Sequence, residues 1–105
     1  MDLKNKIALV TGGSRGLGKN SSLRLAEKGA DVIITYNRQD KAADAVVKEI
    51  ENHYKRPAAS LQLDVGNVGS LELFFERVSA VLRKKWHTDR FDFLVNNAGI
   101  SGRMT

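Results

Sequence analysis

The feature that most limits what this chain can fold into is a glycine-rich junction, Val10-Thr11-Gly12-Gly13-Ser14-Arg15-Gly16-Leu17-Gly18. Before it runs Ile7-Ala8-Leu9-Val10, a continuously apolar stretch of the kind found in a strand covered on both faces. After it, the spacing of small and apolar residues turns helical. Four glycines within residues 12–18 allow a sharp turn with positive φ and let a ligand come close without meeting a Cβ. The helix that follows presents unpaired N–H groups and the positive end of its dipole, which together suit a phosphate. The junction therefore asks for a strand, a turn and a helix in that order, with an anion at the turn.

The same alternation continues down the chain. Lys6 to Val10 reads as a first strand and Leu17 to about Lys28 as a first helix, with Gly18, Ser22, Leu25, Ala26 and Gly29 on one stripe. Asp31 to Tyr36 is rich in β-branched residues and reads as a second strand. The polar turn Asn37-Arg38-Gln39-Asp40 leads to a helix carrying Ala42, Val46 and Ile50 at intervals of four, widened by Ala43 and Val47. That helix ends near Tyr54, ahead of Pro57. Ala58 to Val65 holds a third strand, and Asp64 stands at its carboxyl end. Asn67 is placed to cap a third helix with the stripe Val68, Leu71, Phe75, Val78 and Leu82, Phe74 lying beside it. Phe91 to Val95 reads as a fourth strand, followed by Asn96-Asn97-Ala98-Gly99. The order βαβαβαβ predicts an α/β fold with a parallel sheet, helices on both faces and right-handed crossovers. In such sheets ligands bind at the carboxyl ends of the strands, where the polar and glycine-rich sequences fall.

Composition narrows the function classes. A chain of 105 residues with 42% hydrophobic and 28% charged residues is a single domain of ordinary globular make-up. No apolar run approaches a membrane span, and the amino terminus lacks the basic-then-apolar pattern of a signal peptide, so a cytoplasmic protein without a membrane partner is expected. Zero cysteines exclude disulfides and thiolate metal sites. The formal charge of +5 favours anionic ligands. Its densest run, Arg83-Lys84-Lys85, falls at a helix end, where cations complement the dipole, and the remainder is dispersed; a phosphate-bearing cofactor accounts for this better than nucleic acid. His53 and His87 read as surface residues, and no cluster has metal-ligand spacing.

The junction alone admits two chemistries. Gly13 to Lys19 matches the phosphate-loop pattern G-x-x-x-x-G-K, but position 20, which should carry a hydroxyl for magnesium, is Asn20. The common dinucleotide pattern G-x-G-x-x-G is also absent. The pattern T-G-x-x-x-G-x-G is present, in Thr11, Gly12, Gly16 and Gly18. With Asp64-Val65 after the third strand and Asn96-Asn97-Ala98-Gly99 after the fourth, the whole chain resembles the short-chain dehydrogenase/reductase family.

The resemblance implies a Rossmann-type doubly wound sheet of strand order 3-2-1-4, here partial, and a nicotinamide dinucleotide site. Gly12 would make the tight turn, Gly16 would admit the pyrophosphate, and Gly18 would let the helix pack against the sheet. Ser14, Arg15 and Leu17 complete the loop's side of the site. Asp64 and the backbone at Val65 would meet the adenine edge, and Asn96, Asn97, Ala98 and Gly99 would line the middle of the cofactor. An NAD site wants a carboxylate at the end of the second strand. Here that strand ends in Tyr36-Asn37-Arg38, with no acid before Asp40. Arg38 and Arg15 can instead pair with a 2′-phosphate, so NADP(H) is the expected cofactor. One departure from the family is the polar start of the first helix, Asn20-Ser21-Ser22, which bears on how closely that helix can pack.

The family's chemistry is hydride transfer between nicotinamide and a carbonyl or alcohol. It uses a tyrosine acid/base, a lysine four residues later and a serine. Neither tyrosine here supplies the pair, because Asp40 follows Tyr36 at that spacing and Ala58 follows Tyr54. No catalytic residue is therefore assigned. Residues 1–105 are expected to form one incomplete NADP(H)-binding domain, the amino-terminal portion of a longer, homo-oligomeric reductase, with Phe91–Val95 left as an open edge. The alternatives are a non-catalytic dinucleotide-binding module and a phosphate-loop NTPase.

Overall fold

A computed structural model describes residues 3–14, 16–38, 40–62 and 71–96. Four strands alternate with three helices: β1 (Ile7–Thr11), α1 (Gly16–Glu27), β2 (Asp31–Tyr36), α2 (Asp40–His53), β3 (Ala58–Gln62), α3 (Leu71–Val81) and β4 (Phe93–Asn96). A π-helical turn, Leu82–Trp86, continues α3. The strands are parallel throughout and lie in the order β3-β2-β1-β4. This is the doubly wound Rossmann-type arrangement that the alternation and the resemblance imply.

Alternate residues of the strands face opposite sides, which divides the core in two. On one side Ala8, Val10, Val32 and Ile34 pack with Ala26 of α1 and with Ala43, Val46 and Ile50 of α2. On the other, Ile7, Leu9, Ile33 and Leu61 pack with Phe74, Val78 and Leu82. The continuous apolar runs in β1 and β2 follow from this, since neither face of the central strands meets solvent.

Three sequence expectations need adjustment. The buried residues of α3 and its π turn are Phe74, Val78 and Leu82, whereas Phe75 is 51% exposed. The sequence stripe puts Phe75 in the core with Phe74 beside it; the sheet instead takes Phe74, which stands in line with Val78 and Leu82 at intervals of four. β4 begins at Phe93 rather than Phe91, because Asp92 uses its side chain as well as its backbone to meet β1: its Oδ2 accepts the Ile7 N–H at 2.8 Å while its own N–H donates to the Ile7 carbonyl. Lastly, the polar start of α1 does not keep that helix away from the sheet. Ser22 is fully buried, and its hydroxyl donates to the Gly18 carbonyl at 2.9 Å, one turn back, so its polarity is satisfied locally. Residues 63–65, Asn67 and Val68 lie outside the described residues.

At the amino edge of the sheet, Asp31 joins three elements. Its Oδ1 receives Arg56 Nη2 at 2.6 Å and its Oδ2 receives Trp86 Nε1, also at 2.6 Å. The clamp fixes the α2–β3 connection and the π turn to the start of β2. The basic run beside it is consistent with a solvated helix end, with Lys85 paired to Glu51 across the surface at 2.9 Å.

Candidate cofactor site

The glycine turn sits at the carboxyl edge of the sheet, where β1, β2 and β4 end together. Gly12 has φ of 66°, a conformation that glycine adopts without strain, and it reverses the chain as it leaves β1. The Gly12 and Gly13 amides point into the protein. The Gly12 N–H donates to Thr35 Oγ1 at 3.0 Å, and the Gly13 N–H donates to the Thr35 carbonyl, also at 3.0 Å. The end of β2 thus dictates the shape of the turn after β1.

α1 is pressed against that turn. A Cβ built on Gly18 would lie 1.9 Å from the Gly12 carbonyl oxygen, so only glycine permits this approach. One built on Gly13 would meet Ile34 Cγ2 at 2.7 Å. Gly16, the first residue of α1, is different: among the described residues nothing lies within 4 Å of where its Cβ would be. The first N–H groups of α1 have no acceptors within the helix. Beside them Leu17 is 78% exposed, the most exposed large apolar residue in the described structure. Ser14 is buried under the turn.

The neighbouring strand ends complete the edge. Tyr36 is half-buried, and Asn37 and Arg38 are exposed beyond it. The Asn37 carbonyl accepts Gln62 Nε2 at 3.0 Å, which ties this turn to β3. On the other side, Thr11 and Asn96 are register partners between β1 and β4, and the Thr11 hydroxyl donates to Asn96 Oδ1 at 2.7 Å. The structure therefore brings Gly12, Ser14, Gly16, Leu17, Gly18, Tyr36, Asn37, Arg38 and Asn96 to one edge. Arg15, Asp64, Val65, Asn97, Ala98 and Gly99 lie outside the described residues.

Sequence reasoning missed Thr35, which looked like one more β-former in β2. Its signal was a hydroxyl at the last buried position of β2, directly after the apolar run Val32-Ile33-Ile34. A depression of about 300 Å³ at the opposite, amino edge is bordered by Asp31, Trp86 and Asp92, whose side chains already serve the clamp and the β1–β4 pairing. Among the described residues no group of three or more His, Asp or Glu could hold a metal ion, and no helix is long and apolar enough to cross a membrane.

Known proteins share this arrangement. The chain is 40% identical over 99 residues to a 3-oxoacyl-[acyl-carrier-protein] reductase of Synechocystis sp., covering 94% of this chain and 37% of that protein. It is 37% identical over 100 residues to the hydroxynaphthalene reductase arp2 of Aspergillus fumigatus, covering 95% of this chain and 34% of the relative. The chain thus spans about a third of the length of these curated relatives. Among solved structures, the angucycline C-6 ketoreductase LanV with bound NADP superimposes with a TM-score of 0.87 at 34% identity, covering 94% of this chain and 38% of that one. The short chain dehydrogenase family matches residues 6–105, and with the T-G-x-x-x-G-x-G turn seated at the carboxyl edge of a 3-2-1-4 parallel sheet, the chain belongs to that family of oxidoreductases.

Proposed function

We propose that this chain is the NADP(H)-binding portion of an oxidoreductase that moves hydride between a nicotinamide and a carbonyl or alcohol. The observation that carries the reading is the carboxyl edge itself. There the open amino terminus of α1 stands beside a β2 end that carries Arg38 and no carboxylate up to that residue. The residues present fit such a ligand. Gly16 leaves the approach to the helix amides clear, and the Gly12–Gly18 contact holds those amides in place. The NADP bound by the related ketoreductase LanV supports the choice of nucleotide.

In this reading the first amides of α1 take the pyrophosphate, which the helix dipole favours. Arg38, joined by Arg15, pairs with the 2′-phosphate. Asp64 and Val65 take the adenine edge, and Asn96, Asn97, Ala98 and Gly99 line the middle of the cofactor. Leu17 covers the site with an apolar side chain, and Tyr36 and Asn37 shape the ribose pocket. Bound NADPH supplies the hydride. No Tyr-x-x-x-Lys pair stands in this sequence, Asp40 and Ala58 following the two tyrosines at that spacing, so this reading assigns the chain cofactor binding and no catalytic residue.

Titration of the chain with NADPH, NADH and magnesium ATP, followed by calorimetry, tests the reading. Binding should be tightest for NADPH. Tighter binding of magnesium ATP, or no binding of NADPH by folded protein, would overturn it.

A further inference from the structure

The geometry points to Thr35 as a positioning residue of the nucleotide site, one that turns the two glycine amides inward and leaves phosphate binding to the first turn of α1. This rests on the dinucleotide reading above and adds a division of labour within the turn. The backbone amides of the glycine turn and of the first turn of α1 could in principle face an anion here. Two of them are already committed. Thr35 takes the Gly12 N–H on its hydroxyl and the Gly13 N–H on its carbonyl, both at 3.0 Å. Thr35 is itself only 2% exposed, held in β2 between β1 and β3, so neither acceptor can be replaced by water without opening the sheet.

The hydroxyl is the part of this device that sequence can change. Valine has nearly the same shape as threonine but offers no oxygen, and it would leave the Gly12 N–H without an acceptor beneath the turn. The turn would then sample other conformations, and the nucleotide would bind only the fraction with the amides turned in. Because Thr35 acts on the turn rather than on the ribose, the loss should fall equally on NADPH and NADH. That separates it from Arg38, whose contribution depends on the 2′-phosphate.

The test compares the full chain with its Thr35→Val and Thr35→Ser variants, at a temperature where circular dichroism shows each to be folded. Thr35→Val should bind both NADPH and NADH about tenfold more weakly with their ratio unchanged, while Thr35→Ser, which keeps the oxygen, stays within about twofold of the parent. Folded Thr35→Val with undiminished affinity would overturn the inference, and so would a Thr35→Ser variant as weak as valine. Should Thr35→Val fail to fold, the unaltered chain still decides. The Gly12 and Gly13 amides should exchange slowly with solvent and move little in an NMR titration with NADPH, whereas the Leu17 and Gly18 amides should shift. Rapid exchange at Gly12 overturns the inference even if the chain binds neither nucleotide, an outcome that by itself would sink only the proposed function.

Discussion

A Cβ on Gly18 would lie 1.9 Å from the carbonyl oxygen of Gly12, so the first turn of α1 touches the backbone of the turn before it with no room for a methyl group. Contact of backbone with backbone is the least forgiving kind, because neither side has a rotamer to change. Through it α1 is placed by the turn, the turn is placed by Thr35, and the helix amides arrive at the sheet edge in a fixed position.

Gly18→Ala should therefore cost at least about 2 kcal/mol, since relief requires α1 or the turn to move. Gly16→Ala is the informative control. Its Cβ meets nothing within 4 Å, and only the positive φ of 61° is unfavourable for alanine, at about 1 kcal/mol. Urea denaturation of both variants measures the difference. Equal losses would show that the contact is not what limits position 18.

The charged groups at the amino edge differ sharply in what they support. Asp31 is 7% exposed and accepts from Arg56 and from the indole of Trp86, the only tryptophan of the chain. Asparagine at 31 would turn an amide N–H₂ toward one of those two donors, so Asp31→Asn should lose about 2–3 kcal/mol. The Lys85–Glu51 pair, with side chains 38% and 39% exposed, is a surface ion pair, and Glu51→Ala should cost no more than about 1 kcal/mol. Trp86 fluorescence reports both unfolding curves, and its emission should change in the folded state only for Asp31→Asn.

Much of this fold was legible because the local signals agreed with one another. The apolar runs of β1 and β2, the intervals of four in α2 and the glycine turn all specified the same layered sheet. The placement of Phe75 rather than Phe74 in the core was wrong for another reason, since adjacent aromatic residues on a helix are distinguished only by the angle at which the helix crosses the sheet. Asp92 and Thr35 escaped for a shared reason. Each uses a side-chain oxygen to satisfy a backbone N–H far away in sequence, Ile7 for one and Gly12 for the other, and no periodicity records such a bond. The edge that gathers the candidate site was readable from the positions of the strand ends, while the inward direction of the Gly12 and Gly13 amides required coordinates.

β4 is paired to β1 alone among the described residues, and it carries Phe93 and Leu94 at 37% and 56% exposure. An exposed apolar edge strand is a template for pairing with another chain. Leu94→Lys should accordingly reduce concentration-dependent association of this chain, measured by sedimentation velocity, with little change in its melting temperature. Unchanged association would locate the sticky surface elsewhere, with exposed Leu73 and Phe75 of α3 the next residues to replace.

The proposed preference for NADPH rests on Arg38, which stands exposed past the end of β2 with no ion-pair partner among the described residues. A guanidinium there gains little from NADH, whose ribose carries hydroxyls, and a charge-assisted pair from NADPH. Arg38→Ala should weaken NADPH binding by about tenfold to a hundredfold, equivalent to about 1.4–2.8 kcal/mol, and leave NADH binding within about twofold. Arg38→Asp should go further and invert the preference, because its carboxylate repels the phosphate and accepts hydrogen bonds from ribose hydroxyls. Raising the salt concentration should narrow the NADPH advantage of the parent chain, since the site is open to solvent. Parallel calorimetric titrations of the three proteins give the ratio directly. If Arg38→Ala lowers affinity for both nucleotides alike, the arginine supports the turn rather than reading the phosphate, and Arg15 becomes the residue to test for that discrimination.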